Sequence, residues 1–160
     1  MSDGALVREL RGSKGGQINS IAFSPDGRRV AVASGIRGRD IAVHVVRAAD
    51  GILERSIVPE NNNYGVEQAV FSPDSTLIAL RPFYYSTFQG NVEIRRVSDG
   101  GLNRTFSMKG DGLTFSPDGA ALVTAWYDSI RARAVVEFWR VSDWALMAAY
   151  DDLPWRGGRF

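Results

Sequence analysis

Apolar residues in this chain come in short bursts and never settle into a helical spacing. INSIAF (18–23), RRVAVA (28–33), DIAVHVV (40–46) and ILERSI (52–57) follow one another, separated by Gly, Pro, Asn and Asp. VEQAVF, TLIAL, NVEIRRV and GLNRTF repeat the series from 66 to 106, and DGLTF, AALVTA, VVEFWRV and ALMAAY repeat it again from 111 to 150. Short runs punctuated by turn-forming residues predict strands, so the pattern is all-β. In each set the second burst is apolar at successive positions, as in Val30-Ala31-Val32-Ala33 and Leu77-Ile78-Ala79-Leu80. A strand covered on one side alternates, whereas one covered on both does not. Sheets stacked face to face are therefore predicted.

The bursts belong to an internal repeat. FSPD occurs at Phe23–Asp26, Phe71–Asp74 and Phe115–Asp118, with spacings of 48 and 44 residues. A second marker keeps step: SDG at Ser2–Gly4, ADG at Ala49–Gly51, SDG at Ser98–Gly100 and SDW at Ser142–Trp144. From each Phe to the next Asp of that marker is 27, 28 and 28 residues. The Pro of SPDG presets the backbone angle for a type I turn, Asp bonds its own backbone, and Gly accepts an angle that other residues resist. The preceding Phe is an apolar plug for the sheet-to-sheet core. Ser-Pro is also a phosphorylation-like pair, but a structural turn accounts for it more simply. One repeat domain over 1–160 is predicted, with four-stranded units at 17–58, 65–108 and 110–153 and an extra outer strand at 2–10.

Composition narrows the partners. With 19 Lys plus Arg against 18 Asp plus Glu, the net charge is +1. Whole-domain attraction to nucleic acid or an anionic membrane is not expected at that balance. There is no cysteine, which removes disulfides and thiolate chemistry and suits a reducing cytosol, so a cytoplasmic location is expected. The opening MSDGALVREL has neither the basic nor the apolar region of a signal peptide.

The AFSPDG turn, the repeat of roughly 45 residues and a third strand ending FWRVSD together resemble the WD-repeat β-propeller family. The resemblance covers nearly the whole chain. Trp139 matches the family's tryptophan, while Arg95 and Val46 stand at that place in the earlier repeats. Arg47, Arg96 and Arg140 replace the aspartate that follows it. The family's Gly-His pair is missing, and the sole histidine, His44, aligns with Glu93 and Glu137. The resemblance implies about three four-stranded antiparallel blades that lack the polar network of the best-matched family members. Closed propellers need roughly four to eight blades. An arc of three exposes an apolar blade face at each end, so completion by oligomerisation is expected, a dimer giving six blades being the simplest closure. A piece of a longer propeller is the alternative.

By the same resemblance, one face collects the loops between second and third strands: SGIRGRD, RPFYYSTFQGN and WYDSIRARA. These carry Arg37, Arg39, Arg81, Phe83, Tyr84, Tyr85, Phe88, Trp126, Tyr127, Arg131 and Arg133. Aromatics with arginine are the composition of protein-binding hot spots, and the competing structural role is cross-strand pairing within the hairpins. The expected function is a non-catalytic scaffold that binds a protein or peptide through these loops. A self-assembling propeller fragment with no other ligand is the second reading, and the propeller portion of an enzyme whose catalytic domain lies elsewhere is the third. No catalytic constellation and no cofactor are predicted: one histidine, no cysteine and no G-x-S-x-G or H-E-x-x-H motif leave no nucleophile with its base. His44 reads as a strand residue and not as a metal ligand. DGLTFSPDGAA lacks calcium-loop spacing, RGSKGG lacks the ending of a phosphate loop, and one RGGRF is too little for RNA. The Asn103-Arg104-Thr105 sequon would go unused without secretion.

Overall fold

The computed structural model describes residues 9, 17–36, 39–60, 65–82, 89–109, 112–128 and 131–151, with positions 36, 39, 40, 82, 89, 90 and 107–109 described by backbone only. The described residues form three four-stranded antiparallel sheets and contain no helix. Blade 1 is β1 (Ile18–Phe23), β2 (Arg29–Ile36), β3 (Arg39–Arg47) and β4 (Leu53–Ile57). Blade 2 is β5 (Val66–Phe71), β6 (Leu77–Pro82), β7 (Gln89–Arg96) and β8 (Leu102–Lys109). Blade 3 is β9 (Gly112–Phe115), β10 (Ala121–Asp128), β11 (Arg133–Arg140) and β12 (Leu146–Tyr150). In each, strands pair in chain order as a meander. The extra outer strand expected at 2–10 lies outside the described residues, apart from Glu9.

Register assigns every side chain to one of two faces, because residues directly opposite across a ladder share a face. Phe71 stands opposite Ile78, and Ala69 opposite Leu80. All four pack toward blade 1, against Ala31, Ala33, Val43, Val45 and Ile57. Between Ile78 and Leu80, Ala79 points the other way and joins Val92, Ile94 and Phe106 against Leu113, Phe115 and Leu122 of blade 3. The uninterrupted apolar run of β6 thus serves two cores at once. We call the face that meets the preceding blade leading, and the other trailing.

The repeated turn has one geometry in all three copies. Ser24 Oγ donates to Asp26 Oδ1 at 2.6 Å and accepts from the Arg29 amide at 2.9 Å, while the Arg28 amide donates to Asp26 Oδ1 at 3.0 Å. Ser72 with Asp74, and Ser116 with Asp118, repeat these bonds. Hydrogen bonding from the serine hydroxyl holds all three aspartates below the usual carboxylate range. Each turn serine is thus committed to closing its hairpin, and Ser24 and Ser72 are buried. Gly27 and Gly119 adopt φ of 69° and 72°, and in the second copy Ser75 takes the same angle, φ 61°. A left-handed serine is strained, and its hydroxyl has a use: Ser75 Oγ accepts from the Asp26 amide of the neighbouring turn at 3.2 Å.

Further polar stitches fix the angle between blades. Asn19 Nδ2 donates to the carbonyls of Gly35 at 2.9 Å and of Val66 at 3.0 Å. Gln68 Nε2 reaches the Leu113 carbonyl at 3.1 Å, and Arg55 donates to the carbonyls of Ser98 and Asp99 at 2.6 and 2.9 Å. Where blade 1 meets the start of blade 2, Gly65 (φ +130°) lies so close to Gly35 that an added Cβ would collide with the Gly35 carbonyl.

Phe71 is the central plug of the first seam, so Phe71→Ala should cost about 3–5 kcal/mol, read as a lower urea midpoint at unchanged slope. A loss below about 1 kcal/mol would mean that the seam is not a load shared by the whole chain.

Candidate interaction surfaces

The loop face singled out by sequence lies at the ends of the β2–β3, β6–β7 and β10–β11 hairpins. Arg37, Phe83, Tyr84, Tyr85 and Phe88 fall outside the described residues, and Arg39 is described by backbone only, paired with Ile36. The third hairpin is fully placed up to its tip. Trp126 stands opposite Val135, Tyr127 opposite Ala134 and Asp128 opposite Arg133. Alternation therefore separates the two aromatics: Trp126 shares the leading face with Leu122 and Thr124, whereas Tyr127 lies on the trailing face. Trp126 is half-buried and Tyr127 is 58% exposed.

The arginines of this hairpin are anchored. Arg133 Nη1 lies 2.7 Å from Asp151 Oδ2. The Arg131 amide donates to Asp128 Oδ1 at 3.1 Å, and its guanidinium stands 3.9 Å from the same carboxylate. The exposed Arg133–Asp151 pair is worth roughly 0–1 kcal/mol, little enough to be exchanged for a partner's carboxylate, whereas Asp128 beside Arg131 is half-buried. In the second hairpin Arg81 Nη1 pairs with Glu67 Oε2 at 2.8 Å.

On the leading face, one structural position differs in chemistry from blade to blade. In blade 3, Trp139 Nε1 donates to Thr124 Oγ1 at 3.2 Å, and Thr124 Oγ1 donates to Glu137 Oε2 at 3.1 Å. Blade 3 thus has a short polar chain without the Gly-His pair, in which Thr124 accepts from the indole and donates to the Glu137 carboxylate. Trp139 also packs on Phe106, with ring centroids 5.1 Å apart. In blade 2 the same place holds an ion pair. Arg95 donates through Nε and Nη2 to Glu93 Oε2 at 2.9 and 2.6 Å, and Glu93 Oε1 accepts from the Glu60 amide at 2.7 Å. Both side chains are buried. Burial pushes the Glu93 carboxyl up, against the pull of the Arg95 guanidinium. In blade 1 the position is Val46, next to His44, whose Nδ1 shares a hydrogen bond of 2.9 Å with Ser56 Oγ.

One surface was not singled out from sequence, and a second, the apolar end face expected of an open arc, is located by residue. The three Phe-Ser-Pro turns converge on an open depression of 410 Å³, lined by Phe23, Phe71, Phe115, Pro25, Pro73 and Pro117 among others. In addition, the leading face of blade 1 is bare among the described residues. Phe71 and Phe115 are each 8% exposed, but Phe23 is 67% exposed and Ile21 63%. The repeat itself carried that signal, since the first Phe of the series has no placed blade before it.

Comparison with known proteins places these features. The family model described as "WD domain, G-beta repeat" matches residues 4–41. A chain titled "Crystal structure of the eukaryotic initiation factor" superposes with a TM-score of 0.70 at 20% identity, over 90% of this chain and 35% of that one. "Crystal structure of RRP9 WD40 repeats" gives a TM-score of 0.67 at 17% identity, over 89% and 40%. "Kuenenia stuttgartiensis Hydrazine Synthase" gives a TM-score of 0.67 at 16% identity, over 85% and 37%. The chain thus spans 35 to 40% of the length of these structures. No curated protein matches it by sequence.

Removing one member of the buried pair strands the other. Arg95→Ala should cost roughly 3–5 kcal/mol at pH 7. Without the guanidinium the Glu93 carboxyl is pushed further up, and a carboxyl raised by folding contributes stability at low pH that is lost as pH rises through its folded value. The deficit should therefore shrink toward pH 4, and the double substitution Glu93→Leu/Arg95→Met should be less damaging than Arg95→Ala. Urea melts at both pH values read this, and a deficit that grows on acidification would contradict it.

Proposed function

We propose that this chain, which is built of WD-repeat β-propeller blades, is a non-catalytic interaction scaffold that holds a protein or peptide on the loop face. The observation that carries the reading is the β10–β11 hairpin, which presents an exposed Tyr127 on one face, Arg133 paired with the exposed Asp151 on the other, and an exposed Arg131 at the tip. Aromatic area with little ordering cost and guanidinium groups that can change partners are what peptide recognition uses. The buried carboxylate nearest to a catalytic candidate, Glu93, is committed to Arg95 and the Glu60 amide. Among the described residues no group of three or more His, Cys, Asp or Glu is arranged to hold a metal ion. The likeness to a hydrazine synthase chain extends to the fold alone, as does the likeness to the other two chains. A cysteine-free chain in a reducing cytosol completes this reading. The uncovered Phe23 favours a second reading alongside it, assembly with other copies into a ring of six blades.

Site-specific photocrosslinking separates loop-face binding from other surfaces. A photoreactive phenylalanine analogue at Tyr127 should give crosslinks to a distinct protein in native lysate, at least several-fold above the same group at Arg47 on the opposite end of the blades. The Arg131→Ala/Arg133→Ala double variant should reduce them. Equal yields from the two ends would refute the loop face as the binding surface.

A further inference from the structure

Each internal seam joins a trailing face to a leading face, and their sizes are matched. Blade 1 offers a small trailing face, Ala31, Ala33, Val43, Val45 and Ile57, to the large leading residues Ile78, Leu80 and Arg95 of blade 2. At the second seam, Ala79, Val92, Ile94 and Phe106 meet Leu122, Thr124 and Trp139. Two faces are left over. The leading face of blade 1 carries Val30, Val32 and Val46, the smallest set in the chain at the places of Ile78, Leu80 and Arg95, below the protruding Phe23 and Ile21. The trailing face of blade 3 carries Val123, Ala125, Val136, Phe138 and Tyr150, with Phe138 and Tyr150 where blade 1 has Val45 and Ile57. These two rings already meet edge to face at 5.8 Å, and Tyr150 is 55% exposed.

Thus, among the described residues, the largest trailing face and the smallest leading face are both unpartnered. Close-packed seams conserve total volume. Leading against leading would join two small surfaces around facing phenylalanines, and trailing against trailing would join two large ones, whereas large on small repeats the internal arrangement. None of the named positions is charged, so their burial desolvates no ion.

We propose that the leading face of blade 1 is covered by the trailing face of blade 3 of a second copy of this chain. The proposal deepens the assembly reading above by specifying the surfaces and their polarity. The contact is head to tail, so a pair of chains forms two equal seams and closes with six blades. Phe23 of one copy then occupies, against Val123 and Phe138 of the other, the place that Phe71 has against Ala31 and Val45.

Light scattering of the purified chain, coupled to size exclusion at micromolar concentration, tests this. The wild type should have twice the mass of one chain. Phe23→Asp and Tyr150→Asp should each be monomeric, with association weakened at least tenfold, because either change spoils both seams of a homodimer. Mixed in equal amounts, the two variants should form dimers again, since one seam between them is wild-type on both sides. A monomeric wild type, a Phe23→Asp dimer, or a mixture that stays monomeric would overturn the proposal. If either variant loses its β-sheet circular dichroism, Ile21→Asp and Ala148→Glu take their places on the same two faces. Tyr127 lies on the same trailing face as Val123 and Ala125, so loop-face crosslinking is read on the Phe23→Asp monomer, where it succeeds or fails independently of the seam.

Discussion

The structure depends on the contact between two β-sheets whose inner faces are both apolar. Phe71 and Phe115, at the ends of the second and third inner strands, enter the preceding sheet, and burying such a side chain contributes about 1.5–3 kcal/mol. The isolated sheet has no way to collect this, because it is apolar on its trailing side as well. Ile78 and Leu80 look one way and Ala79 the other, and all three are fully buried. A blade is therefore stable only between neighbours, and the chain is a stack whose interior blade is satisfied and whose outer blades are each satisfied once.

Turn chemistry holds the stack in register. The Ser-Pro-Asp turn is closed by a serine hydroxyl that bonds both its own aspartate and the returning strand. Successive turns touch through the Asp26 amide and Ser75. Because those serines are engaged, the turns act as hinges of fixed angle. Between the turns, the leading-face position of Val46, Arg95 and Trp139 carries three different solutions to one demand: apolar side chain, buried ion pair and hydrogen-bonded indole. Only the latter two require a matching polar partner, which Glu93 supplies from the same strand as Arg95 and Thr124 from the strand beside Trp139.

The fold was legible because it is a repeat. Spacing of the FSPD turns and the doubly apolar second strands identified all-β sheets stacked face to face, and the sheets are found so. The consequences of pairing were harder to read. Trp126 and Tyr127 are adjacent letters, but strand alternation places them on opposite faces. The polar chain at Trp139 escaped because a search for the family's histidine overlooks a threonine on the neighbouring strand, which accepts from the indole and donates to Glu137. The exposure of Phe23 depends on what stands before it in space, and no local pattern distinguishes it from Phe71. Most of the aromatic loop, Phe83 to Phe88, falls outside the described residues, so the proposed binding surface rests on the third hairpin.

The central claim is that these sheets hide their apolar faces only against one another. Hydroxyl-radical footprinting of Phe23 and Phe71, read by mass spectrometry over a range of protein concentrations, addresses it most directly. Phe71 should be protected throughout, while Phe23 should react when the chain is dilute and become protected as concentration rises. Labelling of Phe71 as strong as that of Phe23 in the dilute protein would contradict the account.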